Sequence, residues 1–282
     1  MTSYFEQVQE AAEALRGKLG GRHPAIGLIL GSGLGDLADE VANAVSVDYD
    51  ELPHFPVSTV EGHAGRFVAG TLEGKDVIVM QGRFHYYEGY PMRKVVFPVY
   101  VMKQLGVSAL VVTNAAGGMN RSFRAGDLML ITDHINLTGD NPLIGDNDVN
   151  LGVRFPDMSA AYDKEYLALA LKLATGVSGP EGEALRLMQG VYCGIGGPTY
   201  MTPAELTMLA RLGGDAVGMS TVGEVVAARH AGLRVLGISC ITDMAIGEEL
   251  EPLTHEQVVA TANRTKPKFM KLVRSFVKEV GL

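Results

Sequence analysis

The residues best suited to hold an anion are Arg83 and His85, which lie in a glycine-bounded aromatic segment. They are two positions apart, so in an extended backbone both side chains point to the same side, together with Tyr87. Arginine supplies paired N–H donors, which suit a doubly charged oxyanion. Either residue alone is more typical of a surface ion pair or a core histidine. Together they predict an oxyanion site.

Three clusters of small residues, at 31–35, 113–118 and 218–221, follow apolar runs. Such clusters let a ligand approach backbone N–H groups, although each also fits an ordinary tight turn. Ser32 offers a hydroxyl in the first cluster, and Ser220 offers a hydroxyl and an N–H in the last. The first cluster lacks the third glycine of a dinucleotide fingerprint and the Gly-Lys-Ser/Thr of a Walker loop.

A carboxylate, Asp243, closes the apolar run 233–241. Such a run is typical of a strand buried on both faces, and in open α/β sheets ligands bind beyond the carboxyl ends of the strands. Asp243 is therefore a candidate recognition group, and it is equally typical of a helix cap or a turn. Asn114 and Asp133 occupy similar strand ends. The pattern predicts that several strands deliver polar groups to one edge of a sheet.

The elements that position these residues alternate along the chain, which predicts an α/β fold with a mixed central sheet flanked by helices. Strands are predicted at 25–30, 76–80, 109–112, 128–132, 190–193, 216–219 and 234–241, which are rich in Val, Ile and Leu. Helices are predicted at 4–19, 91–105, 160–174, 203–212, 222–230 and 254–280. Thr202 with Glu205, and Thr221 with Glu224, have the spacing of capping boxes.

Composition excludes several classes of protein. The 282 residues, 47% hydrophobic and 20% charged, can bury a large core without any linker-like stretch, which predicts one domain over residues 1–282. A net charge of −8 argues against a nucleic-acid or membrane-surface partner. Only Cys193 and Cys240 are present, each in an apolar neighbourhood, so we expect reduced thiols and a cytoplasmic protein.

The ordered set of motifs resembles the low-molecular-mass, trimeric purine nucleoside phosphorylases, of the family that also contains the methylthioadenosine phosphorylases. The matching segments are Gly31-Ser32-Gly33-Leu34-Gly35, Glu61-Gly62-His63-Ala64-Gly65, Gly82-Arg83-Phe84-His85, Thr113-Asn114-Ala115-Ala116-Gly117-Gly118, Arg154-Phe155-Pro156 and Gly218-Met219-Ser220-Thr221. The resemblance implies purine salvage by reversible phosphorolysis of purine ribo- or deoxyribonucleosides to free purine and the pentose 1-phosphate. It also implies a homotrimer, and phosphate as co-substrate without a metal or organic cofactor.

The resemblance implies three groups of site residues. Phosphate would be bound by Ser32, His63, Arg83, His85, the backbone of Ala115 and Ser220. The sugar would contact Tyr87, Met219 and His255, the last at the 5′-hydroxyl, with Phe155 entering the site of a neighbouring subunit. The base would contact Ala116, Gly117, Tyr200, Met201, Gly218, Thr242 and Asp243. Asp243 and His85 would be the catalytic pair.

Two base-site residues depart from the oxopurine-specific pattern, which has Glu and Asn where this chain has Met201 and Asp243. Glu accepts the N1–H of hypoxanthine or guanine, whereas adenine has no N1–H. An ionised Asp243 accepts from the N6 amine and repels a C6 carbonyl, and a protonated Asp243 could donate to N7. We therefore predict a preference for adenosine over inosine and guanosine.

Two alternatives remain open on the sequence. A methylthioadenosine phosphorylase would also use an Asp near this position, although His255 suits a 5′-hydroxyl better than a methylthio group. A protein of a different class, a nucleotide-binding protein without phosphorolysis or a dinucleotide-dependent oxidoreductase, would use the loop 31–35. The Asp at position 36 counts against that second alternative.

Overall fold

Nine strands form one mixed sheet within the part of the chain that the computed structural model describes, residues 2–59, 64–180 and 182–282. They are β1 (Ile26–Leu30), β2 (Ala42–Asp48), β3 (Arg66–Leu72), β4 (Lys75–Gln81), β5 (Ala109–Gly118), β6 (Leu128–Leu137), β7 (Leu187–Ile195), β8 (Ala216–Gly218) and β9 (Arg234–Met244). The α-helices of these residues are α1 (Tyr4–Lys18), α2 (Met92–Val95), α3 (Phe97–Gln104), α4 (Lys164–Ala174), α5 (Pro203–Arg211), α6 (Val222–His230) and α7 (His255–Glu279). The predicted single-domain α/β class with a mixed sheet between helices is confirmed. The boundaries 1–282 stay a prediction.

The strand order is β2-β3-β4-β1-β5-β8-β7-β6-β9, and β5 pairs with β9 as well. The last five strands therefore close into a ring. β1 lies between the parallel strands β4 and β5 and is buried along its whole length, which explains its apolar sequence. The ends of β1, β4, β5, β8 and β9 are thereby brought close together.

Apolar clusters cover both faces of the sheet. One joins α1, α3 and α6 to the sheet, and the other joins α4 and α7 to the opposite face. α6 is buried at every position except Arg229, so it is a core helix rather than a surface one. Among the described residues, no helix has both the length and the hydropathy that a membrane span requires.

Several predicted elements have different bounds. Residues 91–105 form two helices, because Pro98 lies in the first turn of α3 and cannot continue a preceding helix. Helix α4 starts at Lys164 instead of residue 160, because Asp163 caps it by accepting from the backbone N–H of Glu165 and Tyr166. The strands β2 and β3 were not predicted. β2 is a mostly exposed edge strand, and β3 carries a glycine inside it.

Two strands that carry candidate site residues run further than predicted. β5 and β9 pair in parallel as far as Gly118 and Met244, so residues 113–118 and Asp243 lie within strands rather than in turns. β6 instead runs antiparallel to β9, with Ile131 opposite Gly237. Asp133 is exposed and lies near the opposite end of β9 from Asp243. The prediction that its strand end joins the same edge is wrong, because a local pattern does not reveal strand direction.

Candidate active site

A cavity of about 300 Å³ opens where β1, β4, β5, β8 and β9 come together, with residues 250–253 along its rim. Most of the residues that the sequence predicted for the site line it: Ser32, Arg83, His85, Tyr87, Ala115, Ala116, Gly117, Tyr200, Met201, Gly218, Met219, Ser220, Thr242, Asp243 and His255. His63 lies outside the described residues. Phe155 lies away from this cavity and is 87% exposed.

Arg83 is buried, and its guanidinium is held by protein acceptors. Its Nε and Nη2 donate to the two carboxylate oxygens of Glu224, at 3.0 and 2.7 Å, and Nη1 donates to the carbonyl of Thr113. Glu224 is equally buried, so the pair places opposite charges side by side in the interior. The paired N–H donors that were predicted to bind an oxyanion therefore donate, along one edge of the guanidinium, to the Glu224 carboxylate. That bond fixes the guanidinium against the cavity.

This ion pair also corrects the second predicted capping box. Glu224 does not reach back to Thr221, and Thr221 makes no side-chain cap of α6. The carboxylate is instead used by Arg83. The first box is confirmed, because Thr202 and Glu205 bond reciprocally and Pro203 starts α5. A lone acid in the otherwise apolar stretch of α6 is a signal that could have identified Glu224, since a buried charge requires a partner.

His85 is oriented by a carboxylate that the sequence reasoning missed. Glu88 Oε1 lies 3.1 Å from His85 Nδ1 and accepts from the His85 backbone N–H at 2.7 Å. Burial opposes ionisation of Glu88, but hydrogen bonds from His85 and Thr59 hold its pKa at about 2. Burial lowers the pKa of His85, although the hydrogen bond with Glu88 opposes the shift, so the ring loses its proton more readily than an exposed histidine does. Tyr87 stacks on this ring, with centroids 4.7 Å apart.

The glycine loop at 31–35 is a close backbone contact rather than a nucleotide fingerprint. The Gly31 N–H donates to Thr113 Oγ1 at 3.1 Å, and a Cβ at Gly31 would lie 2.7 Å from Asn114 Cα. The loop leads into a short 3₁₀ helix, Gly35–Glu40, instead of an α-helix. It therefore lacks the helix N-terminus that a dinucleotide site requires. Ser32 borders the cavity.

Ser220 presents less to the cavity than predicted. Its backbone N–H donates to the hydroxyl of Tyr192 at 3.3 Å, so that donor is engaged within the protein. Its hydroxyl oxygen lies 3.1 Å from Thr221 Oγ1, and Asn114 Nδ2 donates to the same Thr221 oxygen at 2.9 Å. Asn114 and Thr221 are both buried, and Asn114 lines the cavity. Asn114 was predicted among the polar groups at strand ends, but neither residue was assigned a role in the site.

At the other end of the cavity lies Asp243. Thr242 Oγ1–H donates to Asp243 Oδ1 at 2.9 Å. Burial raises the pKa of Asp243 above its ordinary value of 3.8, although the Thr242 hydrogen bond opposes the rise. A Cβ at Gly117 would lie 3.1 Å from Asp243 Oδ2, so glycine leaves room for that oxygen. The site therefore holds a carboxyl that protonates more readily than an exposed one.

Met201 and Tyr200 complete this end of the cavity. Met201 is partly buried and packs against an apolar cluster that includes Leu206, and Tyr200 is half exposed. Burial and the nearby Asp243 charge raise the pKa of Tyr200. This end therefore combines one carboxyl with an apolar wall. Among the sugar-site candidates, His255 is exposed at the first turn of α7 and borders the same cavity.

Comparison with known proteins agrees with this geometry. The family model described as the phosphorylase superfamily matches residues 25–278. Purine nucleoside phosphorylase 1 of Bacillus subtilis strain 168 is 57% identical over 274 residues, which cover 97% of this chain and 98% of that protein. The chain belongs to the purine nucleoside phosphorylases. As a phosphorylase, it catalyses the reaction of a purine nucleoside with phosphate to give free purine and the pentose 1-phosphate.

Solved structures are similar over the full length of the phosphorylase. Schistosoma mansoni purine nucleoside phosphorylase in complex with adenosine has a TM-score of 0.92 at 43% identity, covering 100% of both chains. The same enzyme in complex with inosine has a TM-score of 0.92 at 41% identity, covering 100% of this chain and 99% of that one. These relatives disfavour the methylthioadenosine phosphorylase alternative and the oxidoreductase alternative.

Proposed function

We propose that this phosphorylase prefers 6-aminopurine nucleosides, adenosine above all, to inosine and guanosine. The observation that carries the proposal is Asp243, a partly buried carboxyl with a raised pKa at the base end of the cavity. The relative from Schistosoma mansoni has been solved with adenosine and with inosine, so the fold accommodates both bases. A preference for one base over the other must then depend on individual side chains in the cavity.

Asp243 favours adenine most strongly as the glycosidic bond breaks. Because Thr242 donates to Oδ1, a proton on the carboxyl resides on Oδ2, from which it can pass to purine N7. The resulting carboxylate then accepts from both N7–H and the N6 amine of adenine. With hypoxanthine it would face the C6 carbonyl, which repels it. The discrimination is therefore greatest in the transition state, where it affects kcat.

Met201 acts on the opposite edge of the base. Adenine N1 carries a lone pair and no proton. The Met201 thioether therefore does not repel it and leaves no donor unpaired. An oxopurine carries N1–H, and burying that donor without a partner costs roughly 1–3 kcal/mol. Met201 thus disfavours oxopurines without making a polar bond to adenine.

We further propose the remaining roles by analogy with the family, supported by the geometry of the cavity. Phosphate is held by Ser32, His63, Arg83, His85, the Ala115 backbone and Ser220, and the sugar by Tyr87, Met219 and His255. The phosphate charge stabilises the ribosyl cation that develops between the leaving base and the nucleophile. His85 and Asp243 are the catalytic residues.

No metal or organic cofactor is proposed. The absence of a nucleic-acid or membrane partner remains a prediction from the sequence, and so does a cytoplasmic location.

A substrate panel tests the proposal. We expect turnover of adenosine and inosine to require phosphate, with kcat/KM at least tenfold higher for adenosine, since two mismatched polar groups separate the substrates. Methylthioadenosine and guanosine complete the panel. An enzyme that is clearly faster on inosine would contradict the base preference and leave phosphorolysis intact.

We also propose a homotrimer in which Phe155 reaches a neighbouring site. Phe155 is 87% exposed on a segment with other exposed apolar side chains, which is typical of a contact surface. Arg154 donates to the carbonyls of Leu143 and Gly145, so the segment is already ordered in the single chain. We expect light scattering to give the mass of three chains and Phe155→Ala to raise KM for the nucleoside. A fully active monomer would contradict this proposal.

A further inference from the structure

Thr221, at the start of α6, has a backbone conformation that β-branched residues rarely adopt. Its φ is 75° and its ψ is −51°. The Val222 N–H donates to the Ser220 carbonyl at 2.8 Å, which closes a three-residue turn around Thr221. Such a conformation costs free energy and persists where the surrounding structure enforces it. A glycine would adopt it at a lower cost, so the presence of a threonine requires an explanation.

The Thr221 hydroxyl is the middle member of a chain of hydrogen bonds that is buried at Asn114 and partly buried at Ser220. Asn114 Nδ2 donates to Thr221 Oγ1 at 2.9 Å, and Thr221 Oγ1 lies 3.1 Å from Ser220 Oγ. Among the described residues, Asn114 Oδ1 is buried without a hydrogen-bond partner. A strained backbone and an unpaired buried acceptor therefore occur side by side, next to the cavity. Costs of this kind concentrate at functional sites.

The inventory of donors limits the directions that the chain of hydrogen bonds can take. A hydroxyl has one proton, and Thr221 already accepts from Asn114. Between Thr221 Oγ1 and Ser220 Oγ either hydroxyl can donate. When Ser220 donates to an anion, its proton is no longer available to Thr221, and Thr221 is then the donor to Ser220 Oγ. Ser220 borders the cavity, so the remaining direction includes the oxyanion site.

We propose that Asn114 and Thr221 are positioning residues that turn the Ser220 O–H toward bound phosphate. The inference rests on the proposed role of Ser220 in phosphate binding. Successive donors, Asn114 to Thr221 to Ser220 to the phosphate oxygen, polarise one another and all point toward the negative charge. Without the first two members, the Ser220 hydroxyl loses the donor that fixes the direction of its own O–H bond.

Thr221→Val tests the proposal, because valine keeps the branched shape and removes the hydroxyl. We expect KM for phosphate to rise about tenfold, the loss of one hydrogen bond to a charged group, and KM for adenosine to change by less than about twofold. Thr221→Ser, which keeps the hydroxyl, should behave like the parent enzyme. Asn114→Leu, which removes the first donor, should raise KM for phosphate in the same direction. Equal increases in both KM values for Thr221→Val would indicate a general distortion and overturn the proposal.

A double-mutant cycle with Ser220→Ala separates this inference from the proposed phosphate site. If Thr221 acts through Ser220, then Thr221→Val has no further effect on KM for phosphate in the Ser220→Ala background. Independent, additive increases would overturn the positioning role while leaving Ser220 as a phosphate ligand. A Ser220→Ala enzyme with an unchanged KM for phosphate would instead overturn the phosphate role of Ser220 itself. Thermal unfolding of each variant checks that it is folded, so that the KM values compare folded proteins.

Discussion

We expect Asp243→Asn to lower kcat/KM for adenosine by about 100-fold, because the amide cannot transfer a proton to N7 as the base leaves. The same change should raise kcat/KM for inosine, since the amide N–H can donate to the C6 carbonyl that the carboxylate repels. Adding Met201→Glu supplies an acceptor for N1–H and places a carboxylate against the N1 lone pair of adenine. The double variant is expected to prefer inosine. Steady-state turnover of both nucleosides measures the reversal.

Asp133→Asn is the matched control for this experiment. Asp133 also follows a threonine on a strand of the same sheet, but it is exposed and lies outside the cavity. We expect it to leave both kcat/KM values unchanged. If Asp243→Asn keeps the adenosine preference of the parent enzyme, Asp243 does not determine base specificity.

The pH profile gives a second measure of Asp243. Its acidic form is the donor, and burial raises its pKa above 3.8, so the protonated fraction persists to a higher pH than for an exposed carboxyl. As pH rises through that raised pKa the donor is lost, and kcat/KM for adenosine should fall. Asp243→Asn should lack this descending limb. A limb that persists in the variant would assign the titration to another group.

Arg83→Ala has the second large expected effect, on both phosphate use and stability. It removes the guanidinium beside the proposed oxyanion site, so we expect KM for phosphate to rise by about 100-fold or more. It also leaves the buried carboxylate of Glu224 without its partner, which costs about 3–5 kcal/mol of unfolding free energy. Phosphate-dependent kinetics and denaturant unfolding measure the two effects separately.

A double variant and a surface control distinguish these effects. Arg83→Ala with Glu224→Ala removes the orphaned charge, so it should recover part of the stability and none of the phosphate affinity. Arg234→Ala breaks a similar two-bond contact with Asp163 in a more exposed place, along with contacts to Glu165 and the Tyr166 ring. It should cost less stability than Arg83→Ala and leave phosphate kinetics unchanged. Arg83→Ala with the parent KM for phosphate would contradict the assignment of the oxyanion site.

Much of the site could be predicted because its residues sit in short, distinctive segments. Arg83, His85 and Ser32 could each be selected from their neighbours in the chain, and the cavity contains all three. The spacing of Thr221 and Glu224 predicted a capping box that the structure lacks, and the reason is physical. A capping box needs only local geometry, but a buried carboxylate binds the strongest partner within reach, and that partner comes from a segment 141 residues away.

By itself, the sequence determined the α/β class, the family motifs and the two base-site substitutions, because apolar periodicity and residue identity are local properties. Only the tertiary structure decided that Asp243 lines the cavity while Asp133 does not, that Glu224 holds Arg83, and that hydrogen bonds connect Asn114 and Thr221 to Ser220. These contacts depend on strand order, direction and register. They join residues far apart in the chain, so no local pattern contains them.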